Sequence, residues 1–260
     1  MSYNFDQHTR SALFQYLLRL ADDRLILGHR LSEWCGHGPI LEEDIALSNF
    51  ALDFIGQAEA LLRLAGEVEG KGRSEDDLAY KRDWQDYHCC QLVERPKGDF
   101  GFTMARQFFF DAYDYPMWEA LTTSSFEPLA AIAGKSVKEA KYHLRHSGEW
   151  MLRLGDGTQE SHDRVQHSVD SLWRYTGELF DTDDIHDHLF SQGIAICLSG
   201  IEKEWKEIVE PHLQRATLSI PSEEGVVMVS GTRYGAHSEH LGHLLTEMQV
   251  LPRAYPDAKW

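Results

Sequence analysis

Apolar residues recur at three- and four-residue steps along most of this chain, and the recurrence predicts helix after helix. Residues 9–34 place Leu13, Leu17, Leu20, Leu27 and Leu31 on one stripe before Gly36, Gly38 and Pro39 stop it. Residues 41–66 carry a broader stripe: Ala46, Leu47, Phe50, Ala51, Phe54, Ile55, Ala58, Leu61 and Leu62. That width suits a deep core. The polar, glycine-bearing stretch 66–80 reads as a loop, with a short helix over 76–93, and Pro96-Lys97-Gly98 breaks the chain. Residues 99–123 predict a third long helix, bent at Pro116. Residues 126–154 predict a fourth, with Pro128 in its first turn and Gly155-Asp156-Gly157 at its end. Further helices are expected at 159–180, 184–191, 200–216 and 237–251. Only 217–235 has strand character. Strands do not alternate with helices, and no repeat or dividing linker interrupts the pattern. The expectation is one all-α domain over 1–260, with four long core helices and peripheral ones around them.

Four long helices raise the question of metal. A carboxylate-bridged di-iron bundle needs one carboxylate on each of two helices and Glu-x-x-His on each of the other two. Here the first helix offers Asp22 and Asp23, and the second offers Asp53 at the edge of its stripe. The third offers Asp111 and Asp114. The fourth offers Glu139, with Tyr142 at i+3 and His143 at i+4. Carboxylates thus stand in all four places, while the position three after Asp53 is Gly56 and the fourth-helix histidine is displaced by one. The structural alternative is a metal-free polar network in which these acids pair with basic side chains such as Arg24, Arg106, Lys135 or Lys138.

A second cluster, His237, Glu239, His240 and His243, offers Glu239 and His243 at i,i+4 as a metal pair. Three histidines at i, i+3 and i+6 do not readily meet one ion from a regular helix. Helix-end hydrogen bonding is the plainer role. His29, His37 and His146 read as hydrogen-bonded structural residues. No GxSxG elbow, GxGxxG or P-loop is present. Phe108, Phe109, Phe110, Tyr113, Tyr115 and Trp118 surround the third helix, which marks it as buried on all sides.

Charge narrows the partners. The chain has a formal net charge of −17 and 42% apolar residues. Such a surface repels nucleic acid and anionic lipid, although one local basic pocket would survive it. No apolar run reaches 18 residues, so no membrane span is expected. The start MSYNFDQHTR lacks an apolar signal core. Cys35, Cys89, Cys90 and Cys197 form no CxxC, which fits reduced thiols in a cytoplasmic protein.

Six segments carry a resemblance. LILGHRLSEWCGHGP (25–39), ALSNFALDFIGQAEALL (46–62), ARQFFFDAYDY (105–115), KEAKYHLRHS (138–147), LWRYTGELFD (172–181) and HSEHLGHLLTEMQVLPRAYP (237–256) run in order along nearly the whole chain. Together they resemble the structural C subunits of ring 1,2-phenylacetyl-CoA epoxidase, the monooxygenase of aerobic phenylacetate catabolism. The resemblance implies a ferritin-like fold and a non-catalytic role. It implies a homologous catalytic subunit that holds the di-iron centre, NADPH-derived electrons from a reductase, and a small bridging subunit. It also implies that this subunit has lost its own iron. On that reading no residue here is catalytic, no metal or cofactor belongs to this chain, and Asp22, Asp53, Asp111, Glu139 and His143 are candidates for a vestigial site. The chain alone is expected to form homodimers or heavier oligomers. Two other readings stand beside it: an active di-iron oxygenase with unusual ligands, and a helical adaptor whose aromatic faces bind an unrelated partner.

Overall fold

The computed structural model describes residues 5–222, 227–256 and 258. Among them are ten α-helices: α1 (Gln7–Ser32), α2 (Leu41–Glu69), α3 (Glu75–Tyr80), α4 (Gln91–Glu94), α5 (Phe100–Leu121), α6 (Glu127–Gly155), α7 (Gln159–Trp173), α8 (Asp184–Ser191), α9 (Leu198–Arg215) and α10 (Glu239–Ala254). The four long ones form the core. α1 packs along α2 and α5 along α6; α7 and α9 cover α5, α8 covers α1, and α10 lies on α3.

Local chemistry sets the ends. Asp6, Asp99, Thr158 and Asp183 each accept a backbone N–H in the first turn of α1, α5, α7 and α8. Such caps satisfy donors that the helix itself leaves unpaired. Gly70, at φ 72°, closes α2 in the left-handed region, where its N–H reaches the Gly66 carbonyl. Gly28 lets α1 and α2 touch: a Cβ there would lie 2.9 Å from Ile55 Cγ1 and 3.1 Å from the Ala51 carbonyl oxygen.

The apolar helix α5 is buried nearly all round. Phe108, Phe109, Phe110, Met117 and Trp118 are each fully enclosed. Trp205 of α9 locks onto it by donating its indole N–H to the Phe109 carbonyl at 2.9 Å. Pro116 lies inside the helix without ending it.

Several boundaries differ from expectation. The predicted helix over 76–93 is three pieces, α3, a 3₁₀ turn at Trp84–Asp86, and α4. The breaks come because buried Arg82 and Tyr87 use backbone carbonyls as partners, those of Leu78, Asp86 and Ala79. α7 stops at Trp173, and a 3₁₀ turn, Gly177–Phe180, follows. α10 begins at Glu239 and runs through Pro252. The strand expected in 217–235 is absent from the described residues there. Its middle, 223–226, lies outside them, and Thr232–Tyr234 is a 3₁₀ turn.

α2 is long and apolar enough, by length and composition, to cross a membrane, with 44% of the relevant window buried. The run-length reading missed this because Asn49 and Asp53 interrupt the run while leaving its average high. Here α2 is a core helix of the bundle.

Candidate polar site in the bundle core

The groove between α2 and α6 brings together three of the five candidates. Asp53 and Gln57 stand one turn apart on α2, as do Glu139 and His143 on α6, so the pairs meet as two rungs. His143 Nε2 lies 3.0 Å from Asp53 Oδ2, and Gln57 Nε2 donates to Glu139 Oε2 at 2.8 Å. A carboxylate only accepts, so His143 carries its proton on Nε2. Its ring is buried between Phe50 and Phe54, with centroids 4.2 and 4.9 Å away.

Asp111 on α5 reaches the same interior. It accepts from Gln107 Nε2 at 2.6 Å and from Ser147 Oγ at 2.7 Å, and Ser147 is one turn beyond His143 on α6. Burial pushes the Asp111 carboxyl up to about 7, while His143, Ser147 and Gln107 pull it down. A carboxylate in low dielectric keeps its proton more easily than it keeps a charge. Asp114, one turn on, pairs with Arg24 of α1, and both side chains are fully buried. Burial raises the Asp114 carboxyl and Arg24 opposes that rise. Arg24 also donates to the Leu20 carbonyl at 2.7 Å and lies 4.2 Å from the Trp118 ring centroid.

Asp22 does not join this group. It pairs with Arg82 and accepts the His88 backbone N–H at 2.8 Å. Neighbouring Asp23 holds Arg233 with bonds of 3.0 and 2.9 Å and accepts the Cys90 N–H at 2.7 Å. Helix α1 turns both acids toward the segments 82–90 and 233.

The register also differs from the expected one. Gly56 is exposed, and a Cβ there would meet nothing within 4 Å. The inward position after Asp53 is Gln57, only 4% exposed. Tyr142 is likewise outward and His143 inward. Of the basic side chains considered as partners, Arg24 pairs with Asp114. Lys135 and Lys138 are exposed, and Glu139 takes Gln57 instead. Arg106 donates to the carbonyls of Arg95 and Pro96. Burial and neighbouring Arg30 lower its guanidinium to about 9. Arg82, Arg233, Gln107 and Ser147 were not foreseen. Arg82 and Arg233 lie in irregular segments where no periodicity assigns a face.

A bridged iron pair requires several carboxylates free to face two adjoining cations. Here Asp111 is held by neutral donors, Asp114 by a guanidinium that already supplies positive charge, and Asp22 lies elsewhere. This donor set does not fit two irons.

Among the described residues one trio, Cys89, Glu94 and His237, brings three ligand atoms within 4.8 Å of each other. Its hydrogen bonds are complete without an ion. Glu94 accepts from His237 Nδ1 at 2.6 Å, from the Ser238 N–H at 2.8 Å and from Ser238 Oγ at 2.5 Å. His237 Nε2 donates to the Tyr87 carbonyl at 2.7 Å. Both ring nitrogens face acceptors, an arrangement that favours the imidazolium form beside Glu94. Burial alone would lower the His237 pKa, but Glu94 and the Tyr87 carbonyl leave it raised. Glu239 and His243, the other metal pair considered, are both solvent-exposed. His146 pairs with Glu43 at 2.9 Å, and His37 with the Cys35 carbonyl at 3.0 Å. His29 Nε2 is buried with no partner among the described residues. All four cysteines are free thiols.

A family model described as "Phenylacetic acid catabolic protein" matches residues 2–260. The chain is 44% identical over 248 residues to the C subunit of 1,2-phenylacetyl-CoA epoxidase from Escherichia coli strain K12. The match covers 95% of this chain and 99% of that relative.

Proposed function

Because the chain belongs to the phenylacetic acid catabolic protein family, we propose that it is the non-catalytic structural subunit of a ring 1,2-phenylacetyl-CoA epoxidase. In this reading it docks on and stabilises a homologous catalytic subunit that holds the di-iron centre. A reductase supplies electrons from NADPH, and a small subunit bridges the heterodimers in the cytoplasm. Asp53, Asp111, Glu139 and His143 are then the remains of a metal site, and Asp22 is not part of it.

The observation that carries the proposal is the Arg24–Asp114 pair. A buried guanidinium supplies, between α1 and α5, the positive charge that metal supplies in a di-iron bundle. The bundle can therefore keep its acids buried without iron. An open face supports docking. Leu41, Ile45 and Leu52 of α2 and Tyr142 of α6 are 73, 53, 66 and 48% exposed. Exposed Gly56 and Gly134 beside them allow close helix approach. Exposed apolar side chains spaced along one side of α2 in this way suit an interaction surface. The same face makes the lone chain a homodimer or larger.

The test is metal analysis and sizing of the purified chain, alone and co-expressed with the catalytic subunit. The expected result is negligible iron alone, and iron in the complex that stays with the catalytic subunit when the two are separated. About two irons per lone chain, as in a complete bundle, would overturn the proposal and revive the active-oxygenase reading. Failure of the two proteins to co-purify would favour the adaptor reading.

A further inference from the structure

Away from the bundle centre, one side of α1 presents Arg10, Ser11, Phe14 and Leu18 to a cleft of about 610 Å3. Glu69, Lys71 and Arg73, from the end of α2 and the turn after it, form the opposite wall. Arg82, Asp86 and His88 close the floor. The whole chain has 25 Lys and Arg against 42 Asp and Glu. Four cations and two carboxylates line the cleft, and with Arg82 balanced by Asp22 the remaining three cations still outnumber the carboxylates, the reverse of that composition.

The carboxylates around the cleft act as struts. Glu69 accepts from Arg73 Nε at 2.8 Å and Nη2 at 2.5 Å, and lies 3.3 Å from Lys71 Nζ. The Arg73 guanidinium lies 5.5 Å from the Phe14 ring centroid. Asp22 holds Arg82 from beneath. Lys71 sits between Gly70 and Gly72, at φ 72° and 78°, in a turn that glycine adopts without strain. His88 Nδ1 donates to the Arg233 carbonyl at 3.1 Å, which leaves Nε2 as an acceptor.

We propose that this cleft binds a phosphorylated small molecule of nucleotide size. Arg10, Lys71 and Arg73 face the phosphoryl oxygens, and a flat body lies against Phe14 and Leu18. Arginine and lysine from two separate elements surround such an anion with several charge-assisted donors. The volume falls within the usual range for small-ligand sites. The site is independent of the polar core and of the α2–α6 face.

The experiment is calorimetric titration of the full-length chain with ADP and with inorganic pyrophosphate at low ionic strength. Both are expected to bind, ADP more tightly, and both to weaken as salt rises. The double variant Arg10→Ala/Lys71→Ala should lower both affinities by about tenfold or more, since it removes two charge-assisted contacts. Phe14→Leu should weaken ADP alone. Lys206→Ala on α9, outside the cleft, should change neither. Unchanged unfolding midpoints will show that the variants are folded. No binding at millimolar concentration, binding untouched by the double variant, or an equal loss in Lys206→Ala would overturn the assignment.

Discussion

Replacing Arg24 with Met isolates the electrostatic contribution of the buried pair. Methionine keeps an unbranched stem against Trp118 but removes the guanidinium. Asp114 then loses its counter-ion at a site where both side chains are fully buried. Breaking a buried pair from one side costs about 3–5 kcal/mol, and the lost cation–π contact over Trp118 adds about 1 kcal/mol. Asp114→Leu strands Arg24 instead, leaving it the Leu20 carbonyl alone, at a similar cost of about 3–5 kcal/mol. The double variant Arg24→Met/Asp114→Leu leaves no buried charge unpaired. It should return to within about 1–2 kcal/mol of the parent, since apolar replacement of a whole pair is often neutral. The expected coupling is at least about 2 kcal/mol, within the range for residues in contact. Urea unfolding followed by tryptophan fluorescence reads all four proteins, because Trp118 lies under Arg24. Single variants within about 0.5 kcal/mol of the parent, as for surface sites, or strictly additive losses, would refute the claim that this pair anchors the interior. All three variants should still capture the partner subunit, since the α2–α6 face is untouched.

Asp111 makes stability depend on pH. Folded Asp111 keeps its proton up to about 7, against an ordinary value of 3.8. The native state therefore binds more protons in that window, and stability falls as pH rises from about 4 to about 7. Asp111→Asn should flatten this slope in melting midpoints taken at pH 5 and pH 8; a parent-to-variant difference independent of pH would count against it. His237 acts in the same direction by a different route. Its raised pKa means that the His237–Glu94 contribution is complete below about 6.5, the ordinary histidine value, and fades as pH climbs through the folded value. Protection of α10 amides, measured relative to their intrinsic base-catalysed exchange rate, should thus fall between pH 6 and pH 9 in the parent, and His237→Gln should remove that fall. Finally, a Cβ at Gly155 would lie 2.1 Å from the Ala216 carbonyl oxygen. Gly155→Ala should cost about 1–3 kcal/mol by overpacking, and an unchanged urea midpoint would contradict that contact.

Periodicity alone located the four long helices, because their stripes span many turns and each turn repeats the same instruction. It also marked α5 as buried all round. Register was less legible. The choice between Gly56 and Gln57, or between Tyr142 and His143, depends on about 100° of rotation per residue, and only the packed neighbours settle it. Asp22 shows another limit. Its stripe on α1 points inward, yet its partner is Arg82, in a segment with no periodicity. The helix predicted over 76–93 failed for the same reason. Buried Arg82 and Tyr87 take backbone carbonyls there, and the continuous ladder gives way to short turns. His143 with Asp53 was within reach of sequence reasoning, since both already stood on inward edges. Glu94 with His237 was not, because 143 residues separate them.

The distant pairings of the tail bear on how the chain matures at the ribosome. Asp23 sits inside α1 but takes its counter-ion from Arg233, 210 residues later. Glu94 waits for His237, and Arg82 for the Gln249 side chain that caps its carbonyl. Until Arg233, His237 and Gln249 are made, the amino-terminal helices hold acidic groups in a nearly dry interior without their partners. Synthesis therefore has to pass these residues before the bundle can close. A ribosome stalled short of Arg233 carries a collapsed but unsealed intermediate, the form most in need of a chaperone.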